Sequence, residues 1–283
     1  LLHVDESEDN LIRSPLSRLH VRGRTRAICD RLIAVWPPRS YVNRRVAPEL
    51  SASSAVTLQA PDKYESDATP IKPQRLMKEL SERFPPHTRF LADAGNSMMW
   101  TAHYLQPPNR RGAVSRAKPR ARARERRSGT ASWLRMTLEF APMGWAIGAA
   151  VGVARGNPHG PVVCITGDGS YLMSGQEITT AVDEQLPVVF VILNDHAYGM
   201  VMHGQRLAGA EPIAYELTHV DFRRMAESMG IAAHVVDSPA DFDAIDFDAV
   251  LARKGPTLID VRIDREEVPP MMLRLKTLGS VSA

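Results

Sequence analysis

The pattern of hydrophobic and polar positions divides the chain into three textures. Leu1–Val4 reads as a short strand, and Thr25–Val35 carries apolar residues at the spacing of an amphipathic helix. Between 36 and 70 the periodicity gives way to Pro37, Pro38, Pro48, Pro61 and Pro70 among several serines. That is linker chemistry, because proline removes a backbone donor and serine competes for backbone hydrogen bonds. From Ile71 onward helical and strand patterns alternate. Pro73 fits the first turn of a helix running to about Phe84, where its missing N–H costs little. Arg89–Ala94 reads as a strand and Ser97–Tyr104 as a helix. Met143–Ala154 reads as a helix rich in alanine and glycine, suited to close packing.

Val162–Thr166 and Val188–Leu193 are apolar and β-branched with little alternation, as in strands buried on both faces of a parallel sheet. Between them Gly175–Gln185 has helical amphipathicity and is stopped by Pro187. Helices over Phe222–Met229 and Ala240–Ala252 and strands at Ala233–Val236 and Thr257–Ile263 complete the pattern. Repeated βα units predict a doubly wound, mostly parallel α/β sheet flanked by helices. The expected division is a remnant of another domain over 1–35, a linker over 36–70, the α/β domain over 71–268 and a tail over 269–283.

Composition changes this picture little. The chain is 44% apolar, yet no run approaches the roughly 20 apolar residues of a membrane span. It starts with Leu rather than Met and lacks a signal-peptide pattern, so a cut chain and a cytoplasmic location are expected. Cys29 and Cys164 are too few for a disulfide framework, and Cys164, in an apolar run, reads as a packing residue. The net charge of +3 conceals a basic segment, 110–127, whose arginines and Lys118 face the single acid Glu125 and leave the rest of the chain net acidic. A mobile, solvated loop over 107–130 is expected. Polyanion binding or a lid over an anionic substrate are the alternatives, and the lack of interleaved aromatic residues argues against nucleic acid.

Candidate chemistry lies in Thr166-Gly167-Asp168-Gly169-Ser170 and, one strand–helix–strand crossover later, Asn194-Asp195. A crossover of this length brings both acids to the same carboxyl edge, where open α/β sheets bind ligands. Neighbouring strands lie about 4.8 Å apart, so two carboxylates there can share one ion. Mg²⁺ favours oxygen ligands and recruits phosphate oxygens. Gly167 and Gly169 allow close backbone approach, and Ser170 at a helix start offers a hydroxyl to a phosphate. An ordinary strand–turn–helix corner is the plainer reading of Gly-Asp-Gly-Ser alone.

The stretch Gly167–Val201 resembles the fingerprint of thiamine-diphosphate enzymes, and more closely their acetolactate-synthase-like group. Gln176-Glu177, Thr180-Ala181-Val182, Leu186-Pro187-Val188 and Tyr198-Gly199-Met200-Val201 carry that likeness, as do Asp93-Ala94-Gly95-Asn96-Ser97-Met98-Met99-Trp100 and Ala141-Pro142-Met143-Gly144. The resemblance implies a pyrophosphate-binding domain over about 71–268, holding thiamine diphosphate and Mg²⁺. It implies Asp168, Asp195 and the carbonyl of Ala197 as metal ligands, and Asn96, Ser97, Gly167, Gly169, Ser170, Gly199 and Met200 along the diphosphate. Met143 would prop the two cofactor rings apart, and the Ala141 carbonyl would accept from the aminopyrimidine. Asp195 stands where the pattern has a second Asn. His196 and His203, near the site, are read as solvent-facing or capping.

The same resemblance implies a carboligase or decarboxylase of 2-oxo acids. The glutamate that activates the cofactor would come from a pyrimidine-binding domain of a partner chain or homodimer mate, so no catalytic residue is assigned here. The isolated chain is expected to be inactive, and a non-catalytic cofactor-binding subunit or fragment is the alternative. Residues 1–35 resemble the end of a middle domain, where some relatives hold FAD; FAD binding is left open.

Overall fold

The computed structural model describes residues 2–11, 17–35, 58–106, 133–138, 140–157 and 160–270. The chain divides into two units, Leu1–Thr57 and Leu58–Ala283. In the first, β1 (Leu2–Asp5) is followed by the short helix α1 (Glu8–Leu11), β2 (Leu19–Arg22) and α2 (Thr25–Val35). β1 and β2 pair in parallel, Leu2 opposite Leu19. The predicted helix Thr25–Val35 matches α2, and Leu32, Ile33 and Val35 on it are exposed. β2 was not legible, since Leu19-His20-Val21-Arg22 offers only two apolar residues.

The second unit begins at Leu58, inside the stretch expected to be linker. Its residues 61–64 form a helical turn, α3 (Pro61–Tyr64), and Lys63 reaches Glu267 at 2.7 Å; residues 36–57 lie outside the described residues. α4 (Pro73–Arg83) starts on Pro73, and β3 (Arg89–Ala92), α5 (Asn96–Tyr104) and β4 (Leu134–Met136) follow. β4, three residues long, was not predicted. Beyond it come α6 (Trp145–Gly156), β5 (Val162–Gly167), α7 (Asp168–Ser174), α8 (Ile178–Asp183), β6 (Val188–Asn194) and α9 (Gly199–Leu207). α10 (Phe222–Ser228), β7 (Ala232–Val236), α11 (Phe247–Ala252) and β8 (Thr257–Arg262) close the unit.

The six strands form one sheet in the order β4-β3-β5-β6-β8-β7, every neighbouring pair parallel. The expected α/β fold is therefore the observed one. β5 and β6 are apolar at nearly every position because helices cover both sheet faces. Val163, Ile165, Val189, Val191 and Ile259 join Leu76, Leu80, Trp100 and Phe242 in one core. Val162, Cys164, Val188, Phe190 and Leu258 turn to the other side, against Ala146, Ile147, Tyr171 and Phe222. Cys164 is thus a packing residue, and burial pushes its thiol pKa well up.

Two expected helices are subdivided. The one read as Gly175–Gln185 begins earlier, as α7 directly off the end of β5, then narrows to a 3₁₀ turn at Gly175–Glu177 before α8. Gly-Asp-Gly-Ser looks like a turn in sequence, yet its backbone is already helical from Asp168. The one read as Ala240–Ala252 splits because Asp241 forms a capping box with Ser238, and Asp246 accepts from the Ala249 N–H at 3.0 Å to start α11. The basic segment 107–130 and residues 271–283 of the expected tail lie outside the described residues. Among the described residues, no helix is long and apolar enough to cross a membrane.

Candidate functional site

Register sets the site. Gly167 pairs with Leu193, and Ala92 with Ile165, so the chain leaves β3, β5 and β6 at one level of the carboxyl edge. The segments departing there surround a cavity of about 250 Å³. The turn after β5 contributes Gly167, Asp168, Gly169 and Ser170, and the turn after β6 contributes Asp195, Ala197, Gly199 and Met200. Asn96 and Ser97 enter from the start of α5, and Ala141 and Met143 from the segment before α6. All the residues expected from the sequence at the site therefore line this one cavity. The sequence reading did not anticipate Leu193, Met98 or Ile263 in the lining. Ile263 follows β8, and its presence depends on β8 lying beside β6, which periodicity cannot reveal.

Asp168 is 3% exposed. Its Oδ1 accepts from the Gly169 N–H at 2.7 Å, while Oδ2 is buried without a hydrogen-bond partner. Burial pushes the carboxyl up to about 6, although the N–H groups of Gly169, His196, Ala197 and Asp195 draw it down. Burial, and after it the charge of Asp168, pushes Asp195 up to about 7. Asp195 Oδ1 accepts from the Ala197 N–H at 3.2 Å, and Arg265 Nε donates to its main-chain oxygen at 2.9 Å. A buried and a half-buried carboxyl therefore face a shortage of positive charge.

The turn after β6 is strapped by a neighbouring segment. The Tyr198 N–H donates to Tyr215 O at 2.7 Å and the Leu217 N–H to His196 O at 2.9 Å. His196 sits between them at φ 53°, a left-handed conformation that this strap holds. Its ring stacks on that of His219, with centroids 4.8 Å apart. Gly199 lies so close to the site that a Cβ there would be 2.7 Å from both Asp195 Oδ2 and Asn96 Nδ2. Asn96 Oδ1 is a second buried acceptor without a partner. His203, read as solvent-facing or capping, is instead 1% exposed on the inner side of α9, with neither ring nitrogen hydrogen-bonded. It shares that inner side with Gly199 and Met202, one helical turn apart, and this spacing was the available signal.

The family model of the thiamine pyrophosphate enzyme C-terminal TPP binding domain matches residues 93–261. The chain belongs to the thiamine pyrophosphate enzymes. Its relatives lie in the acetolactate-synthase-like group. IlvB2 of Mycobacterium tuberculosis, named as an acetolactate synthase large subunit, is 31% identical over 94% of this chain and 43% of its own length. The acetolactate synthase isozyme 2 large subunit of Escherichia coli is 32% identical over 74% of this chain and 35% of its own. The acetolactate synthase large subunit of Haemophilus influenzae is 36% identical over 47% of this chain and 24% of its own. The chain thus spans less than half the length of these curated relatives.

Proposed function

We propose that this chain binds thiamine diphosphate through Mg²⁺, as the pyrophosphate-holding part of an acetolactate-synthase-like carboligase or decarboxylase of 2-oxo acids. The observation that carries this reading is the Asp168–Asp195 pair at neighbouring strand ends, both carboxyls raised by burial and Asp168 Oδ2 without a partner. Two desolvated acids are costly as anions until a cation neutralises them, and an all-oxygen donor set suits Mg²⁺. The cavity also has the unpartnered Asn96 Oδ1 and a Gly199 position without room for a Cβ, features that fit a close polar ligand.

In this reading Asp168, Asp195 and the Ala197 carbonyl hold the cation. Gly167, Gly169, Ser170, Gly199 and Met200, with Asn96 and Ser97, line the diphosphate. Met143 and the Ala141 carbonyl orient the rings. When bound, thiamine diphosphate supplies a nucleophilic carbon and an electron sink for cleaving a carboxylate from a 2-oxo acid. The chain's own part is to bind, orient and exclude water. The activating glutamate belongs, in this proposal, to a pyrimidine-type domain of a partner chain or homodimer mate. The exposed Leu138, Phe140, Leu172 and Met173, within three residues of lining residues in the chain, offer it an apolar surface. Residues 1–35 are, in the same proposal, the end of a middle domain.

Calorimetry with thiamine diphosphate, with and without Mg²⁺, tests the assignment. Metal-dependent binding by the wild type and its loss in Asp168→Ala are expected; binding indifferent to both metal and substitution overturns it. Turnover of a 2-oxo acid by the purified chain alone would contradict the need for a second domain.

A further inference from the structure

Asp93 is a fully buried acid that the cofactor reading does not use. It stands just past the end of β3, level with Thr166 of β5, at 0% exposure and outside the cavity lining. Its Oδ2 accepts from the Gly144 N–H and from Thr166 Oγ1, each at 2.9 Å. Its Oδ1 accepts from its neighbour Ala94 N–H at 2.9 Å and from the Ala146 N–H at 3.4 Å. Gly144 is the residue before α6 and has no side chain to cap that helix. The Asp93 carboxylate does so from another strand, placing negative charge against the free N–H groups of the helix start. Gly144 is also at φ 88°, and a Cβ there would collide with the Ser174 side chain at the end of α7. The segment carrying Ala141 and Met143 is thus pinned between Asp93 and the helix that begins at Asp168.

We infer that Asp93 is a positioning residue for the Ala141–Met143 segment, setting where that segment meets the rings of the cofactor relative to the diphosphate turn. This rests on the function proposed above. The Asp93 main-chain oxygen also accepts from Ser97 Oγ at 3.0 Å, but its carboxylate reaches the Ala141–Met143 segment through the N–H groups of Gly144 and Ala146. In Asp93→Asn one of the two oxygens becomes an NH₂. Whichever way the amide turns, a backbone N–H loses its acceptor, that of Gly144 or those of Ala146 and Ala94, whereas the Thr166 hydroxyl can rotate.

The test compares two ligands by calorimetry on the full chain: Mg²⁺ with thiamine diphosphate, and Mg²⁺ with inorganic pyrophosphate, which lacks the rings. Asp93→Asn is expected to bind thiamine diphosphate about tenfold more weakly or worse, with pyrophosphate affinity within about twofold of wild type. Thr166→Val removes a buried hydrogen bond to the same carboxylate and is expected to keep the wild-type ratio of the two affinities. Asp93→Glu, which retains charge and both acceptors but moves them by one methylene, carries the test should the asparagine variant not fold; the same selective loss is expected. Equal loss of both ligands, no loss in either, or the same selectivity in Thr166→Val overturns the positioning role. A wild type that binds neither ligand overturns the cofactor reading itself, and the positioning role with it.

Discussion

Asp168 and Asp195 end adjacent parallel strands, and the charge of the first helps hold the second in its protonated form. Both pKa values lie above the ordinary carboxylate range, near 6 and 7. The folded, metal-free protein therefore binds more protons than the unfolded chain between about pH 4 and 7. Stability contributed by this pair falls as pH rises through that window. A cation reverses the sign by favouring the ionised forms. In chelator, Asp195→Asn is expected to raise the melting temperature at pH 8, by on the order of 2 kcal/mol in stability, to raise it less at pH 5, and to change little below about pH 4. With Mg²⁺ and thiamine diphosphate the wild type is expected to gain stability at pH 8 and the variant is not. Thermal melts across this pH range check it; a variant less stable than wild type in chelator at pH 8 would count against the charge argument.

Gly199 begins α9, where alanine is the better helix former, so Gly199→Ala should cost the fold little. The added methyl would instead lie 2.7 Å from Asp195 Oδ2 and Asn96 Nδ2. Displacing either group disturbs the proposed metal and diphosphate site. We expect a melting temperature close to wild type and an affinity for Mg²⁺-pyrophosphate about tenfold lower or worse, measured by calorimetry.

How much of this was legible in the sequence depends on how far apart the interacting residues lie. Val162–Thr166 and Val188–Leu193 announced themselves as doubly buried strands because no charged residue interrupts them and Thr166, at the end of the first, is their one polar residue. Their spacing then placed Asp168 and Asp195 at one edge. β4, with three residues of mixed polarity, and β2, with four, exist through pairing with β3 and β1 and carry no period of their own. Asp93 was visible as part of a motif, but its partners Gly144 and Thr166 are 51 and 73 residues away. No local pattern encodes such bonds. The burial of His203 was missed because polarity was weighed above its position one turn beyond Gly199.

Met143 lines the cavity yet is 37% exposed, so little packing is lost on truncation. Met143→Ala is expected to change stability by no more than about 0.5–1 kcal/mol, at the low end for a large-to-small substitution. Its proposed contact is with the rings alone. Affinity for thiamine diphosphate should fall several-fold while that for pyrophosphate stays unchanged, and a parallel loss of both in calorimetry would remove Met143 from the ring-binding role.

Glu267 offers a prediction independent of any cofactor. It is 7% exposed, just beyond β8, and receives Lys63 at 2.7 Å, Lys72 at 3.0 Å and Gln74 Nε2 at 3.0 Å, while Lys72 also reaches Asp264 at 2.5 Å. Burial alone would raise its pKa, but the bonds from Lys63, Gln74 and Lys72 outweigh it and hold the carboxyl below its ordinary value. A depressed carboxylate stabilises the fold above its unfolded pKa, and that contribution is lost as pH falls through the folded value. Glu267→Gln keeps the shape but leaves two lysines with a neutral partner, so it should destabilise by about 2 kcal/mol at pH 7. The penalty should shrink below about pH 4, where the wild-type carboxyl protonates too. Denaturant unfolding of both proteins across pH checks it: a penalty independent of pH would mean that Glu267 contributes shape and hydrogen bonds rather than charge.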